Sequence, residues 1–143
     1  MACAKKKLPH AAPAGDLYVS PLFKAARAFA ERNYDEWWIL SAKHGLVHPE
    51  TVLEPYDLAL HDLDWLARQK WGVDVLNEIN AQLTRIGCYR PALYLHAGKL
   101  YRDSVPFEIA SWNEVYVPLQ GLQVGQQLHW YKVNEALPQP ALL

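Results

Sequence analysis

Cysteine is scarce in this chain: Cys3 and Cys88 are the only two. They stand in no Cys-x-x-Cys or Cys/His ligand spacing, so no structural zinc site is expected. A chain with so few thiols is not a disulfide-built secreted scaffold, and reduced thiols follow. Excess charge is missing as well. Lys plus Arg number 14 and Asp plus Glu 15, for a net charge of −1. Nothing pulls the whole molecule toward nucleic acid or membrane, and any polyanion site must be a local patch. Long apolar runs are missing too. None approaches the ~20 residues needed to cross a bilayer, and the basic start lacks the apolar core of a secretory signal. A cytoplasmic protein with no membrane partner is expected. Repeats and low-complexity tracts are absent. Gly121 and Gly125 lead into no Lys-Ser/Thr pair, so a phosphate loop for NTP hydrolysis is not supported.

What is present is ample apolar material. At 51% hydrophobic and 20% charged residues, residues 1–143 are expected to fold as a single domain around a real core. Met1 to Ala4 reads as a very short first strand, and residues 5–16 as a Lys- and Pro-containing loop. From Leu17 the apolar positions Leu22, Phe23, Ala26, Phe29 and Ala30 recur at helical spacing. Ser20 and Pro21 make a capping pair for a helix that ends near Arg32-Asn33. Residues 36–41 read as a buried strand and 42–60 as a long loop. A helix is expected from about Asp62 to Ile86, broken or kinked at Gly72 and closed by Gly87. Residues 92–96 read as a second strong strand, 99–110 as a short helix, 114–117 as a further strand and 126–136 as a closing helix. Strands alternating with helices predict a three-layer α/β/α sandwich with a mostly parallel sheet.

In open α/β sheets, ligands bind at the carboxyl ends of the strands, and here those ends carry the polar residues. Trp37 to Leu40 runs straight into Ser41-Ala42-Lys43-His44-Gly45. Gly45 supplies a sharp turn. Lys43 and His44 gain nothing from a core, and His44 can exchange a proton near neutrality. Glu54-Pro55-Tyr56-Asp57 follows, with two carboxylates able to orient a water or a ribose, or, on the plainer reading, to start the next helix. Upstream, Lys5-Lys6-Lys7 reads either as a solvated turn or as a grip on phosphate. Cys3 beside it is a small core residue or a thiol activated by lysines. Ser20 either caps its helix or holds an anion at the helix start, and Tyr18 either packs or stacks on a base. His96, ahead of Gly98 and Tyr101, is either a satisfied structural imidazole or part of the same rim. Gln126, in Pro118-Leu119-Gln120-Gly121-Leu122-Gln123-Val124-Gly125-Gln126, either starts a helix or reads a base edge.

These motifs together resemble a family of small uncharacterised bacterial and phage proteins. Its shared pattern runs Cys-x-Lys-Lys-Lys, Leu-Tyr-x-Ser-x-Leu-Phe, Ile-Leu-Ser-Ala-Lys-His-Gly-Leu, Glu-Pro-Tyr-Asp and Pro-Leu-x-Gly-Leu-x-x-Gly-Gln. All five elements stand here, as Cys3–Lys7, Leu17–Phe23, Ile39–Leu46, Glu54–Asp57 and Pro118–Gln126. More distantly, Leu40-Ser41 through Gly45 to Pro55-Tyr56 is similar to a segment of the peroxide-stress DNA-binding family, which has Arg where this chain has Asp57. Cys3-x-x-Lys6 with Tyr18-x-Ser20 resembles a motif in the core domain of archaeosine synthases, which have Ser where Ala4 stands. Both relatives imply a uracil-DNA-glycosylase-like α/β fold.

The function expected is handling of a nucleobase, free, in a nucleotide or in a strand, by N-glycosylase or base-modifying chemistry. His44, Asp57, Glu54 and Lys43 would be catalytic. Cys3, Lys5, Lys6, Lys7, Tyr18, Ser20, Ser41, Gly45, Tyr56, His96, Gly98, Tyr101 and Gln126 would bind substrate. No metal or cofactor is called for, and the oligomeric state is left open. The alternative is a non-catalytic DNA- or nucleotide-binding stress protein. A thiol-dependent nucleoside-modifying enzyme is a third reading.

Overall fold

The computed structural model describes residues 1–110 and 114–137. Strands are short and helices carry most of the regular structure. In chain order they are β1 (Ala12–Pro13), α1 (Ala14–Leu17), α2 (Pro21–Asn33), β2 (Ile39–Ser41), β3 (Gly45–Val47), β4 (Val52–Leu53), α3 (Trp65–Arg85), β5 (Ala92–Tyr94), α4 (Lys99–Ser104), β6 (Glu114–Tyr116) and α5 (Val124–Val133). Single 3-10 turns stand at Leu60–Asp62 and Phe107–Ile109.

The pairings are mixed. β1 with β4 and β2 with β3 are antiparallel, whereas β5 with β6 is parallel. The first residues join these pieces. Ala2 bridges Leu40 in parallel; the Cys3 N–H donates to the Leu40 carbonyl (2.9 Å) and the Leu40 N–H to that of Met1 (2.7 Å). On the opposite side the Ala2 N–H donates to the His96 carbonyl (3.0 Å). Met1 to Cys3 thus lies between β2 and the end of β5. The architecture is mixed α/β with small sheets, some of them parallel.

β2 shows why both sides of this arrangement are covered. Its neighbours point to opposite faces. Ile39 packs with Leu17, Tyr18 and Phe23, whereas Leu40 packs with Trp71, Val75, Leu76 and Ile79 of α3. A third cluster, Phe29, Ala26, Leu119 and Tyr131, ties α2 to α5.

Several expected boundaries hold. Ser20 caps α2 by accepting from the Phe23 N–H (3.1 Å), and α2 ends at Asn33. Others move for local reasons. α3 is unbroken at Gly72, because that glycine serves packing: a Cβ there would sit 1.6 Å from the Ser104 carbonyl oxygen of α4. The segment expected as a loop over 42–60 contains β3 and β4. Gly45, at φ +73°, reverses the chain so that Ser41 pairs Gly45 and Ile39 pairs Val47. The helix expected over 99–110 stops at Ser104 and resumes as a 3-10 turn, and α5 spans 124–133 rather than 126–136.

Candidate functional site

The tight β2–β3 turn sorts its residues by destination. Ser41 and Ala42 are buried, and Lys43 and His44 are exposed at the tip. Ser41 is fully enclosed, so its polar atoms must find partners inside the protein. Its carbonyl accepts from the Trp71 indole N–H (2.9 Å), and its hydroxyl accepts from the His44 backbone N–H (3.1 Å). The same hydroxyl lies 2.6 Å from the Tyr56 hydroxyl, which in turn lies 2.5 Å from that of Tyr18. Three hydroxyls from three separated segments therefore meet in one hydrogen-bonded knot.

Around the knot stand groups from further segments. Lys7 bridges to Tyr18 as a backbone pair and places its ammonium 4.4 Å from the centre of the Tyr56 ring. The Lys7 Nζ also donates to the Lys5 carbonyl (3.1 Å). Lys43 reaches the same ring, at 5.8 Å, and the His44 imidazole meets it edge-on at 5.4 Å. The Cys3 thiol lies 3.3 Å from the Tyr101 hydroxyl, and the Tyr101 ring meets Trp71 edge-on at 5.8 Å.

Burial sets the protonation of these groups. It pushes Tyr56, Tyr101 and Tyr18 above the usual phenol range, with proximity of Cys3 adding to each. All three are neutral hydroxyls at pH 7. Burial pulls the Lys7 ammonium down, opposed by Cys3 and Asp57. His44 is pulled down by burial and then by Lys43, so near neutrality it is an uncharged imidazole able to accept a proton. Such a rim can exchange a proton at His44, orient a polar group with Asp57 and attract an anion to its two ammoniums.

The residues singled out from sequence divide accordingly. Cys3, Lys7, Tyr18, Ser41, Lys43, His44, Gly45, Tyr56, Asp57 and Tyr101 come together. Lys5 and Lys6 are exposed beside Lys7, and Glu54 is exposed after β4. Ser20 is spent on its cap. Gly98 is the N-cap position of α4, and the Gln126 side chain accepts from the Gln123 N–H (2.9 Å) at the start of α5. His96 belongs to a different cluster. Its Nε2 lies 2.5 Å from the Tyr34 hydroxyl and its Nδ1 lies 2.6 Å from that of Tyr131. Sequence reasoning missed Trp71, which supports Ser41 from behind. Its signal was the apolar stripe Trp71, Val75, Ile79 at four-residue spacing.

A cavity of about 490 Å³, lined by Met1, Trp38, Leu40, Ala92 and Tyr94 among others, opens elsewhere. Its lining runs along β5 from Ala92 to Tyr94 and on to His96, and it includes none of the residues gathered around Tyr56. Among the described residues no group of three or more His, Cys, Asp or Glu is placed to hold a metal ion, and no helix is long and apolar enough to cross a membrane.

Fold and rim together define a mixed α/β protein with a polar, lysine-bearing cluster at the end of a buried strand. The chain belongs to a family of unknown function (DUF6884), whose model matches residues 1–133. It is 44% identical over 57 residues to the uncharacterized protein YfjM of Bacillus subtilis (strain 168), a stretch that covers 36% of this chain and 38% of that protein. The match thus spans well under half of that relative's length. Neither comparison ties the chain to the peroxide-stress DNA-binding family or to archaeosine synthases. No solved structure matches it.

Proposed function

We propose that this protein handles a nucleobase, free, in a nucleotide or in a strand, by N-glycosylase or base-modifying chemistry at the Tyr56 rim. The observation that carries the reading is the meeting of the segments around Cys3–Lys7, Tyr18, Ser41–Gly45, Tyr56–Asp57 and Tyr101 in one cluster. Hydrolysis of a glycosidic bond needs a placed water, a group to hold the departing base and a cationic surround for charge that develops. Asp57, with Glu54 nearby in sequence, is the candidate for the water. His44 is the candidate proton donor or acceptor, and Lys7 and Lys43 supply positive charge. The finer fold reading, a three-layer uracil-DNA-glycosylase-like sandwich, belongs to the same proposal. It is supported by helices packed on both faces of β2 and by the parallel contacts of Met1 to Cys3 and of β5 with β6.

The test is incubation with nucleosides, nucleotides and short single- and double-stranded oligonucleotides, with released base followed by chromatography. Base release that falls at least ~100-fold in His44→Ala or Asp57→Asn, with folding intact, is the expected result. Binding without any turnover would replace this reading with the non-catalytic one, a DNA- or nucleotide-binding protein using the same rim. Neither binding nor turnover would remove both.

A further inference from the structure

The Tyr56 ring carries two ammonium groups, and the geometry points to Lys7 and Lys43 as a paired clamp for a phosphate group, seated on a ring that the Ser41 and Tyr18 hydroxyls hold in place. This deepens the nucleobase reading by assigning the anion subsite of the same rim, and it moves Lys43 from catalysis to binding.

Several observations carry it. Lys7 stands 4.4 Å and Lys43 5.8 Å from the centre of one ring, although the two lysines come from segments far apart in sequence. The aromatic ring attracts each cation, and an anion reaching both ammoniums would be attracted by both. Four cations elsewhere are paired with carboxylates, Arg27 with Asp16 and Glu31, Lys70 with Asp74, Arg85 with Glu36 and Lys99 with Asp103, whereas Asp57 acts on Lys7 without a direct ion pair. Among the described residues, none of the ion pairs uses Lys5, Lys6, Lys7 or Lys43.

The ring beneath them is not a loose surface side chain. Hydrogen bonds of 2.6 Å to Ser41 and 2.5 Å to Tyr18 fix its hydroxyl end. Lys7 already lies against the ring, so a nucleobase cannot simply stack on that face. A phosphate between the two ammoniums would leave the base to be placed by His44, Asp57 and Tyr101 around it. Ser20 offers no competing anion site, since its hydroxyl is committed to the Phe23 amide.

The phosphate can be the monoester of a free nucleotide or the diester of a strand, and the experiment separates them. Binding of pyrophosphate, AMP, adenine and a short oligothymidylate is measured by calorimetry on the full chain, in the wild type and in Lys7→Met and Lys43→Met. The clamp predicts that pyrophosphate and at least one phosphate-bearing ligand bind, and that each substitution weakens them about tenfold. For the oligonucleotide, each substitution also lowers the slope of log affinity against log salt by about 1. This salt slope is measured on the wild type too, so a poorly folded variant does not decide the matter. AMP binding without the oligonucleotide assigns a monoester site; the reverse assigns a backbone site. Failure of pyrophosphate, AMP and oligonucleotide to bind, or affinities unchanged in both variants, overturns the clamp. The two readings fail separately. Adenine binding with no phosphate dependence would leave nucleobase handling standing without the clamp. Pyrophosphate binding with no base recognised would leave the clamp standing alone.

Discussion

At the scale of single residues, the Tyr56 hydroxyl is the member of the rim on which the others converge. It touches both Ser41 and Tyr18, and its ring meets Lys7, Lys43 and His44. Tyr56→Phe keeps the ring and removes those two hydrogen bonds at a part-buried position. A loss of about 1–3 kcal/mol is expected, read as a lower denaturation midpoint in urea at unchanged slope. Full retention of stability would mean that the knot contributes nothing. A second prediction concerns His44. Burial and then the neighbouring Lys43 ammonium hold its pKa below the ordinary imidazole value. Removing that charge in Lys43→Met relieves one of the two causes, so the His44 titration, followed by NMR, moves upward. No movement would separate Lys43 from His44 in solution and weaken the description of the turn tip as one electrostatic unit.

At the scale of elements, two glycines differ in kind, and the difference is measurable. Gly45 has open space for a methyl group, its nearest contact being Val75 at 3.7 Å, yet holds φ at +73°. Gly45→Ala therefore bears only the cost of a left-handed alanine, about 1–2 kcal/mol. Gly72 is helical, but a Cβ would meet the Ser104 carbonyl at 1.6 Å, and backbone cannot yield as a side chain does. Gly72→Ala forces α3 and α4 apart and is expected to cost about 3 kcal/mol or more. Thermal unfolding of the two variants orders them, and a Gly72→Ala protein as stable as Gly45→Ala would contradict the close approach of these helices.

The same pair shows what could be read from sequence. Gly45 was legible because a turn demand is local: an apolar run, a polar cluster and a glycine announce it. Gly72 was misread as a breaker because its reason lies across the fold, in an α4 backbone 32 positions later in the chain. The α2 start at Ser20-Pro21 was legible for the first reason, and β1, β4 and the β3 return were not for the second. At two or three residues each, such strands leave no periodicity to detect, and only their partners define them. The rim was half legible. Residue types pointed to it, but distinguishing His96 and Ser20 from His44 and Ser41 required knowing which hydrogen bonds each had already made.

At the scale of the whole molecule, the informative group is one the rim does not use. His96, after β5, is hydrogen-bonded to Tyr34 just beyond α2 and to Tyr131 of α5, and Phe29 packs on its ring at 5.6 Å. An uncharged imidazole has one N–H, so it donates to one phenol and accepts from the other. Protonation breaks this pattern, because both nitrogens then donate, and it puts a charge among aromatic rings. Burial, helped by the Met1 amino group, accordingly pulls the pKa down to about 4. The unfolded chain takes up this proton near the ordinary value of ~6.5, well before the folded protein does. Stability from His96 is thus fully present above about pH 6.5 and drains away as the pH falls toward 4, by roughly 3 kcal/mol in all. The Met1 amino group, itself lowered to about 5 by burial, adds acid sensitivity in the same direction. The share of His96 is therefore the difference between wild-type and His96→Gln stabilities, each measured by urea unfolding from pH 7.5 to 4. The wild type should lose its lead over the variant as the pH falls. Parallel curves would show that the imidazole titrates alike folded and unfolded, and that the junction of α2, β5 and α5 does not depend on its neutral form.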